Sequence, residues 1–257
     1  MTRPVLSVVA PVYNEEAGIE KFYARLKSVL DSTKLSHEIL FVDDGSQDDS
    51  ARILKKLEQS DKSVRLLRFS RNFGHQLAVK AGIDHAEGEA VVTIDSDLQD
   101  PPETIAEMVR EWRNGHDVVY AVRAKREGEP FFKKFTAAIF YRLLRSLSSV
   151  DLPLDTGDFR LMARPIVEII RRIDEKEPYM RGWVAWAATR PKGLLIHRQA
   201  RYAGETKYSL PKMLRLAMNG FVQFSLRRPH KKRLREEGVD PAQPLYVLME
   251  EGPHPRD

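Results

Sequence analysis

The chain has 257 residues, of which 42% are hydrophobic and 31% are charged. This composition is typical of a globular protein and excludes an intrinsically disordered chain, and the length allows one domain with appendages or two small domains. No cysteine is present, which excludes disulfides and thiolate-bound metal ions. The net charge is +5, and lysine and arginine concentrate between residues 198 and 235, where they favour an anionic partner.

The first 121 residues alternate predicted strands and helices at regular spacing. Apolar runs predict five strands, at residues 6–12, 38–42, 64–69, 90–94 and 117–121. Apolar residues at helical spacing follow the first strand, as at Ile19, Phe22 and Leu26. Repeated β-α units predict an α/β fold in which a mostly parallel sheet has helices on both faces.

Polar motifs follow four of these strands. They are Tyr13-Asn14-Glu15, Asp43-Asp44-Gly45-Ser46, Ser70-Arg71-Asn72 and Asp95-Ser96-Asp97. Ligands of such sheets bind outside the carboxyl ends of the strands, so four polar motifs there predict a binding site, although each alone could be a turn or a helix cap. Neither a Gly-x-Gly-x-x-Gly loop nor a Gly-Lys-Ser/Thr loop occurs, which argues against a dinucleotide oxidoreductase and a P-loop enzyme.

The most informative of these motifs contains Asp95 and Asp97, two residues apart at the predicted end of a buried strand. A turn that gathers the two carboxylates suits a hard divalent cation that takes its remaining ligands from water and substrate phosphates. An isolated Asp-x-Asp more often only ends a strand. The neighbouring polar motifs favour the metal site.

Beyond Ala121 the pattern changes to two amphipathic segments, at residues 131–147 and 213–224. The first segment carries aromatic and leucine side chains on one face and basic side chains on the other. This pattern is typical of a helix in a membrane interface, and also of a helix that faces a protein core. No window of 18 uncharged apolar residues occurs, so we expect no spanning helix. Residues 227–257 are rich in charge and proline and predict a loosely ordered tail.

With these motifs the chain resembles the family 2 glycosyltransferases of the GT-A fold. It is most similar to the polyprenyl-phosphate glycosyltransferases, a group that includes dolichol-phosphate mannose synthase. Six collinear stretches carry the resemblance, at residues 11–16, 42–46, 69–75, 95–102, 156–161 and 204–208. Many members of this group continue into spanning helices, whereas this chain continues into the charged tail.

The resemblance implies roles for the matching residues. Asp158 would be the catalytic carboxylate. The nucleotide-sugar would be bound by Pro11, Tyr13, Glu15, Asp43, Asp44, Arg71, Asp95 and Ser96. Mg²⁺ or Mn²⁺ on the diphosphate would be bound by Asp95, Asp97 and Gln99. The acceptor phosphate would be bound by Arg123, Lys133, Lys134, Arg201 and Lys207.

We therefore expect a metal-dependent inverting glycosyltransferase that moves a hexose from a UDP- or GDP-sugar to a polyprenyl phosphate. Residues 1–121 would form the nucleotide-sugar-binding half, residues 122–226 the acceptor-binding half with amphipathic interface helices, and residues 227–257 the tail. The expected location is the cytoplasmic side of the membrane, with peripheral attachment through the amphipathic segments. Homo-oligomerisation, the donor base and the sugar stay open.

The chemistry of the acceptor separates the alternatives. A sugar hydroxyl is protonated at pH 7 and requires a general base, whereas a phosphate monoester with a second pKa of about 6 is already mostly ionised. Basic residues between 123 and 145 and between 201 and 207 favour the phosphate. The alternatives are a family 2 glycosyltransferase that extends a glycan at a hydroxyl, and a non-catalytic protein that binds membrane or nucleic acid. The acidic sheet edge opposes nucleic acid, which we do not expect as a partner.

Overall fold

The computed structural model describes residues 3–123, 156–173, 175 and 178–198. These residues form one seven-stranded sheet with helices on both faces. The strands are β1 Leu6–Val12, β2 His37–Asp43, β3 Val64–Arg68, β4 Ala90–Thr93, β5 Val118–Arg123, β6 Thr156–Ala163 and β7 Pro191–Ile196. The helices are α1 Ile19–Ser32, α2 Ser50–Ser60, α3 His75–His85, α4 Thr104–Arg113, α5 Arg164–Arg171 and α6 Met180–Ala187.

The strand order in the sheet is β3-β2-β1-β4-β6-β5-β7. Strand β6 runs antiparallel to both of its neighbours, β4 and β5, and the other pairs are parallel. The predicted α/β fold with a mostly parallel sheet is confirmed, and all five strands predicted in the first 121 residues are present. The match is close for β1, β2 and β4 because these strands are buried on both faces and therefore read as continuous apolar runs.

Two apolar layers enclose the sheet. Alternate residues of β1, such as Val8 and Ala10, pack with α1, α2 and α4 on one face. Val9 belongs to the opposite layer, which contains residues of α3, α5 and α6. This alternation follows from the two-residue period of a strand.

Strand β6 contains the stretch at residues 156–161, for which the sequence predicted no strand. Phe159 and Leu161 enter one apolar layer and Met162 enters the other, so the segment is buried on both faces. Its charged residue Arg160 is buried because the Asp158 carboxylate lies 2.9 Å from Arg160 Nη2. Asp158 and Arg160 can occupy a central strand because their charges are paired. In the sequence alone they only interrupt the apolar run.

The carboxyl ends of β1, β2, β4 and β5 meet the beginning of the antiparallel β6 at one edge of the sheet. Both predicted amphipathic segments and the predicted tail lie outside the described residues. Of the helices that the structure describes, none is both long enough and apolar enough to cross a bilayer.

Candidate active site

Asp158, near the start of β6, is buried and accepts hydrogen bonds from four side chains. Oδ1 accepts from Arg160 Nη2 at 2.9 Å and from Arg181 Nε at 3.1 Å. Oδ2 accepts from His75 Nε2 at 3.1 Å, from Gln76 Nε2 at 3.2 Å and from Arg181 Nη2 at 3.3 Å. Asp158 therefore joins the sheet to the first turn of α3 and to the first turn of α6.

These donors keep the Asp158 carboxylate ionised. Burial alone would raise the pKa of Asp158, but the charge of Arg181, the hydrogen bond from His75 and the charge of Arg160 hold the pKa well below its usual value. A carboxylate with a low pKa, whose oxygens already accept several hydrogen bonds, is a weak base for a hydroxyl proton. The arrangement suits a carboxylate that orients cations better than one that removes a proton.

Asp95 follows β4 and lies between two cations. His75 Nε2 lies 3.6 Å from Asp95 Oδ1, and Arg198 Nη2 lies 3.6 Å from Asp95 Oδ2. Burial alone would lower the pKa of His75, but the hydrogen bond to Asp158 and the charges of Asp95 and Asp158 raise it to about 9. The imidazole is therefore a cation at neutral pH, and its Nε2–H donates to Asp158.

The Asp95–Asp97 turn has the chemistry that a divalent cation requires. Asp95 Oδ1 is buried and has no hydrogen-bond partner among the described residues. Asp97 Oδ1 accepts the backbone N–H of Gln99 at 3.1 Å, and the intervening Leu98 has a φ of 61°, which reverses the chain direction. Oxygen ligands of this kind fit Mg²⁺ or Mn²⁺ with water and phosphate completing the coordination. Within the described ranges, no preformed cluster of three or more His, Asp or Glu side chains surrounds a metal position.

Arg198 lies two residues beyond the end of β7 and forms a two-point ion pair with Asp100. Arg198 Nε lies 2.9 Å from Asp100 Oδ1, and Nη2 lies 3.3 Å from Asp100 Oδ2. The Asp100 side chain is 1% exposed and the Arg198 side chain 18%. This pair joins β7 to the segment that carries Asp95.

The residues predicted at the end of β1 lie beside the Asp95 turn. The Pro11 carbonyl accepts a hydrogen bond from Ser96 Oγ at 2.9 Å, which joins the two strand ends. Tyr13 and Glu15 are half-buried, and the Glu15 backbone N–H donates to Ser50 Oγ at 2.8 Å. The structure therefore brings together the residues at the ends of β1 and β4 that were predicted to bind the nucleotide-sugar.

Asp43 and Asp44 also lie at this edge, but their carboxylates bind the protein's own chain. Asp43 accepts from the Ser46 backbone at 2.9 Å and from Arg68 Nε at 3.1 Å. Asp44 accepts from Asn72 Nδ2 at 2.9 Å and from the Phe73 backbone at 2.7 Å. Burial raises the pKa of Asp44, and the backbone N–H groups of Phe73 and Gly74, which donate to its carboxylate, oppose the shift. Both carboxylates shape the loops around the site.

Arg71 is exposed, and its guanidinium lies 4.2 Å from the centre of the Phe73 ring. The loop that carries it passes against Gly45, where an added Cβ would collide with the Arg71 backbone and lie 2.7 Å from the Asn72 nitrogen. Gly45 has a φ of 70°, which favours glycine. The close contact places Arg71 next to the turn that follows β2.

Arg123, at the end of β5, is the one predicted acceptor residue that the described part of the chain contains. Burial and the neighbouring Arg198 guanidinium lower the pKa of Arg123, and Arg181 contributes in the same direction. Its Nε is buried without a hydrogen-bond partner in the described ranges. The guanidinium groups of Arg123, Arg181 and Arg198 thus lie near one another and near the carboxylates of Asp95 and Asp100. Such a group of cations suits an anionic ligand. The other acceptor candidates, Lys133, Lys134, Arg201 and Lys207, lie outside the described residues.

Sequence reasoning assigned no role to six residues that complete this site: His75, Gln76, Asp100, Arg160, Arg181 and Arg198. His75, Asp100 and Arg160 lie inside the stretches that carry the family resemblance, which was the available signal for them. Arg198 begins the basic stretch. Gln76 and Arg181 lie outside all six stretches, and the contact with Asp158 is what distinguishes them.

Comparison with known proteins gives the family. The family model "Glycosyl transferase family 2" matches residues 7–170. An uncharacterized glycosyltransferase of Bacillus subtilis (strain 168), YkcC, is 54% identical over 219 residues, which are 85% of this chain and 68% of that protein. A bactoprenol glucosyl transferase of Shigella phage SfV is 39% identical over 220 residues, which are 86% of this chain and 72% of that protein.

Solved structures give the fold. Glucosyl-3-phosphoglycerate synthase from Mycobacterium tuberculosis, in complex with Mn²⁺, UDP and glucosyl-3-phosphoglycerate, matches with a TM-score of 0.58 at 18% identity, over 86% of this chain and 79% of that one. The mannosyltransferase PcManGT from Pyrobaculum calidifontis, in complex with GDP-Man and Mn²⁺, matches with a TM-score of 0.56 at 18% identity, over 94% and 67%. The predicted GT-A fold is confirmed. The chain belongs to glycosyl transferase family 2 and is a glycosyltransferase.

Proposed function

We propose that this protein is a metal-dependent inverting glycosyltransferase that moves a hexose from a UDP- or GDP-sugar to a polyprenyl phosphate. The observation that carries the proposal is the state of Asp158, whose carboxylate is held ionised by Arg160, Arg181, His75 and Gln76. A phosphate acceptor needs no base to deprotonate it at neutral pH. The reaction therefore suits a site whose central carboxylate is a poor base.

The relatives support both substrates. The phage relative at 39% identity is named a bactoprenol glucosyl transferase, and bactoprenol is a polyprenol. Structures with the same fold contain UDP-GlcNAc, UDP with Mn²⁺, or GDP-Man with Mn²⁺. In this chain the Asp95 turn and the end of β1 meet at the carboxyl edge of the sheet, which is where α/β sheets bind such ligands.

Asp95, Asp97 and Gln99 would hold the divalent cation, because Asp95 Oδ1 is a buried oxygen without a hydrogen-bond partner in the described part of the chain. When bound, Mg²⁺ or Mn²⁺ neutralises the charge that develops on the leaving nucleoside diphosphate. Pro11, Tyr13, Glu15, Arg71 and Ser96 would line the nucleotide-sugar site, and Asp43 and Asp44 would shape its loops.

The cations on the other side of Asp95 would bind the acceptor. An anionic acceptor must approach an anionic donor, and the charge repulsion falls when guanidinium groups lie between them. Arg123 and Arg181 lie near enough to Asp95 that its charge acts to raise the pKa of each guanidinium. Asp158 fixes the orientation of Arg181 through two hydrogen bonds. In the step itself a phosphate oxygen bonds to the anomeric carbon as the bond to the diphosphate oxygen breaks, so positioning supplies most of the catalysis.

Attachment to the membrane would be peripheral and would place the site near the lipid phosphate. The amphipathic segments at residues 131–147 and 213–224 are the candidates for this contact. Residues 122–226 would then form the acceptor-binding half and residues 1–121 the donor half. Each basic residue near an anionic surface contributes about 1 kcal/mol, so several would have to act together.

The test is transfer of radiolabelled sugar from a panel of UDP- and GDP-sugars to undecaprenyl phosphate in detergent, with Mn²⁺ or with EDTA. We expect label in the organic phase only with Mn²⁺, and we expect Asp97→Ala to abolish it. Activity of Asp97→Ala equal to that of the unmodified protein would contradict the metal assignment. Label that reaches only water-soluble sugars would instead identify a hydroxyl acceptor.

A further inference from the structure

The two cations that flank Asp95 are each bonded more closely to another carboxylate. His75 Nε2 lies 3.6 Å from Asp95 Oδ1 but 3.1 Å from Asp158 Oδ2. Arg198 Nη2 lies 3.6 Å from Asp95 Oδ2, while Arg198 Nε lies 2.9 Å from Asp100 Oδ1. Asp95 is therefore close to two cations and forms a short hydrogen bond with neither.

The contact between Asp100 and Arg198 is a two-point ion pair, the strongest geometry that arginine forms with a carboxylate. Both guanidinium nitrogens that face Asp100 are used, at 2.9 and 3.3 Å. Asp100 is 1% exposed, so solvent does not compete for its oxygens. The guanidinium is held with its Nη2 just outside hydrogen-bond distance of Asp95.

Without Asp100, Asp95 would be the one carboxylate of the described residues within reach of the same guanidinium. A rotation that shortens 3.6 Å to a normal hydrogen bond would pair Arg198 with Asp95 Oδ2. A cation in that position competes with a divalent ion for the same oxygens, because a metal ligand must be an ionised and accessible carboxylate. The buried ion pair by itself is weak evidence for a stabilising role, since buried pairs often add no net stability.

We propose that Asp100 is a positioning residue that holds Arg198 away from Asp95 and so keeps Asp95 available to bind a divalent cation. The proposal rests on the metal site of the proposed function. Asp100 acts through Arg198, and its effect therefore depends on the presence of the guanidinium. This dependence separates it from a residue that only supports the fold of the loop.

The test measures Mn²⁺ binding directly, by electron paramagnetic resonance or calorimetry, and requires no turnover. The proteins are the unmodified chain, Asp100→Asn, the double variant Asp100→Asn with Arg198→Gln, and Glu38→Gln as a matched control. Glu38 also forms a buried pair with an arginine, Arg65, at 2.8 Å, and it lies at the start of β2, at the opposite end of that strand from the site. Thermal unfolding of each protein verifies that it is folded.

We expect Asp100→Asn to weaken Mn²⁺ binding by about tenfold or more, the effect typical of residues that orient metal ligands. Removal of the Arg198 guanidinium in the double variant should restore most of the affinity, and Glu38→Gln should not change it. Equal affinity of Asp100→Asn and the unmodified chain would overturn the proposal. So would a double variant that binds Mn²⁺ as weakly as Asp100→Asn. An unmodified chain that binds no Mn²⁺ would instead overturn the metal site of the proposed function.

Discussion

Arg181 donates to both carboxylate oxygens of Asp158, from Nε to Oδ1 at 3.1 Å and from Nη2 to Oδ2 at 3.3 Å. The charge of Asp158 in turn raises the pKa of Arg181, so the guanidinium stays charged. The pair ties the first turn of α6 to the start of β6. Both oxygens of the Asp158 carboxylate therefore accept hydrogen bonds from Arg181. This contact makes Asp158 a poor base and fixes the orientation of the Arg181 guanidinium.

Asp158→Asn should retain measurable transfer to a phosphate acceptor but lose stability. The asparagine leaves the buried guanidinium of Arg160 without its counter-charge, which costs about 3 kcal/mol of unfolding free energy. Urea denaturation measures the loss. Asp49→Asn is the control, because Asp49 pairs with Arg52 on the exposed surface and its loss should not be measurable. Complete loss of transfer in a folded Asp158→Asn protein would indicate a general base instead.

Arg181→Lys should lower kcat/KM although the charge is kept. A lysine cannot make the two-point contact with Asp158, and one lost charge-assisted hydrogen bond of about 1.5–3 kcal/mol corresponds to a fall of roughly tenfold to a hundredfold. The assay varies the polyprenyl phosphate concentration at saturating donor. Arg110→Lys, on the exposed face of α4, is the matched control and should behave as the unmodified chain. An unchanged kcat/KM for Arg181→Lys would contradict its role.

Gly45→Ala should damage nucleotide binding as well as stability. The added Cβ would collide with the Arg71 backbone, in a residue whose φ is 70°, so we expect a loss of about 3 kcal/mol. Gly115→Ala shares the positive φ but approaches only the flexible Arg190 side chain, and should cost about 1 kcal/mol. Calorimetry with UDP and GDP should show weaker binding for Gly45→Ala alone. Equal nucleotide affinity in both variants would contradict the contact.

Asp117 should stabilise the fold at neutral pH and cease to do so in acid. Burial alone would raise the pKa of Asp117, but hydrogen bonds from the Thr189 hydroxyl and backbone and from the Arg190 backbone lower it. A lowered folded-state pKa means that the contribution is complete above the unfolded pKa of about 3.9 and disappears as pH falls through the folded value.

The measurement is the difference in unfolding free energy between the unmodified chain and Asp117→Asn across pH 3–7. Since Asp117 is half-buried, we expect a difference of no more than about 1 kcal/mol at pH 7. The difference should shrink below a pH of about 4. A difference that grows on acidification would show that the lowered pKa is wrong.

Strands β1, β2 and β4 were predictable because their burial on both faces leaves a continuous apolar run in the sequence. Strand β1 begins and ends at the predicted residues, and α1 contains the helically spaced Ile19, Phe22 and Leu26. Strand β6 was not predictable in the same way, because Asp158 and Arg160 neutralise each other only after they are folded together. Its place between β4 and β5 is also non-sequential, since β5 precedes it in the chain.

The candidate site shows the same division. The Asp95 turn and the end of β1 could be placed at one sheet edge, because the carboxyl ends of parallel strands meet there. The partners of Asp100 and Asp158 could not be predicted, because each is distant in the chain. Arg198 lies 98 residues from Asp100, and His75 lies 83 residues from Asp158. Periodicity carries no information on such contacts.

The acceptor is identified by a comparison of undecaprenyl phosphate with undecaprenol, in the same detergent with the same labelled donor and Mn²⁺. The two lipids differ only in the group that attacks. We predict transfer to the phosphate alone, because the polyprenol hydroxyl needs a base and the Asp158 carboxylate is a poor one. Transfer to undecaprenol at a comparable rate would contradict the proposed acceptor.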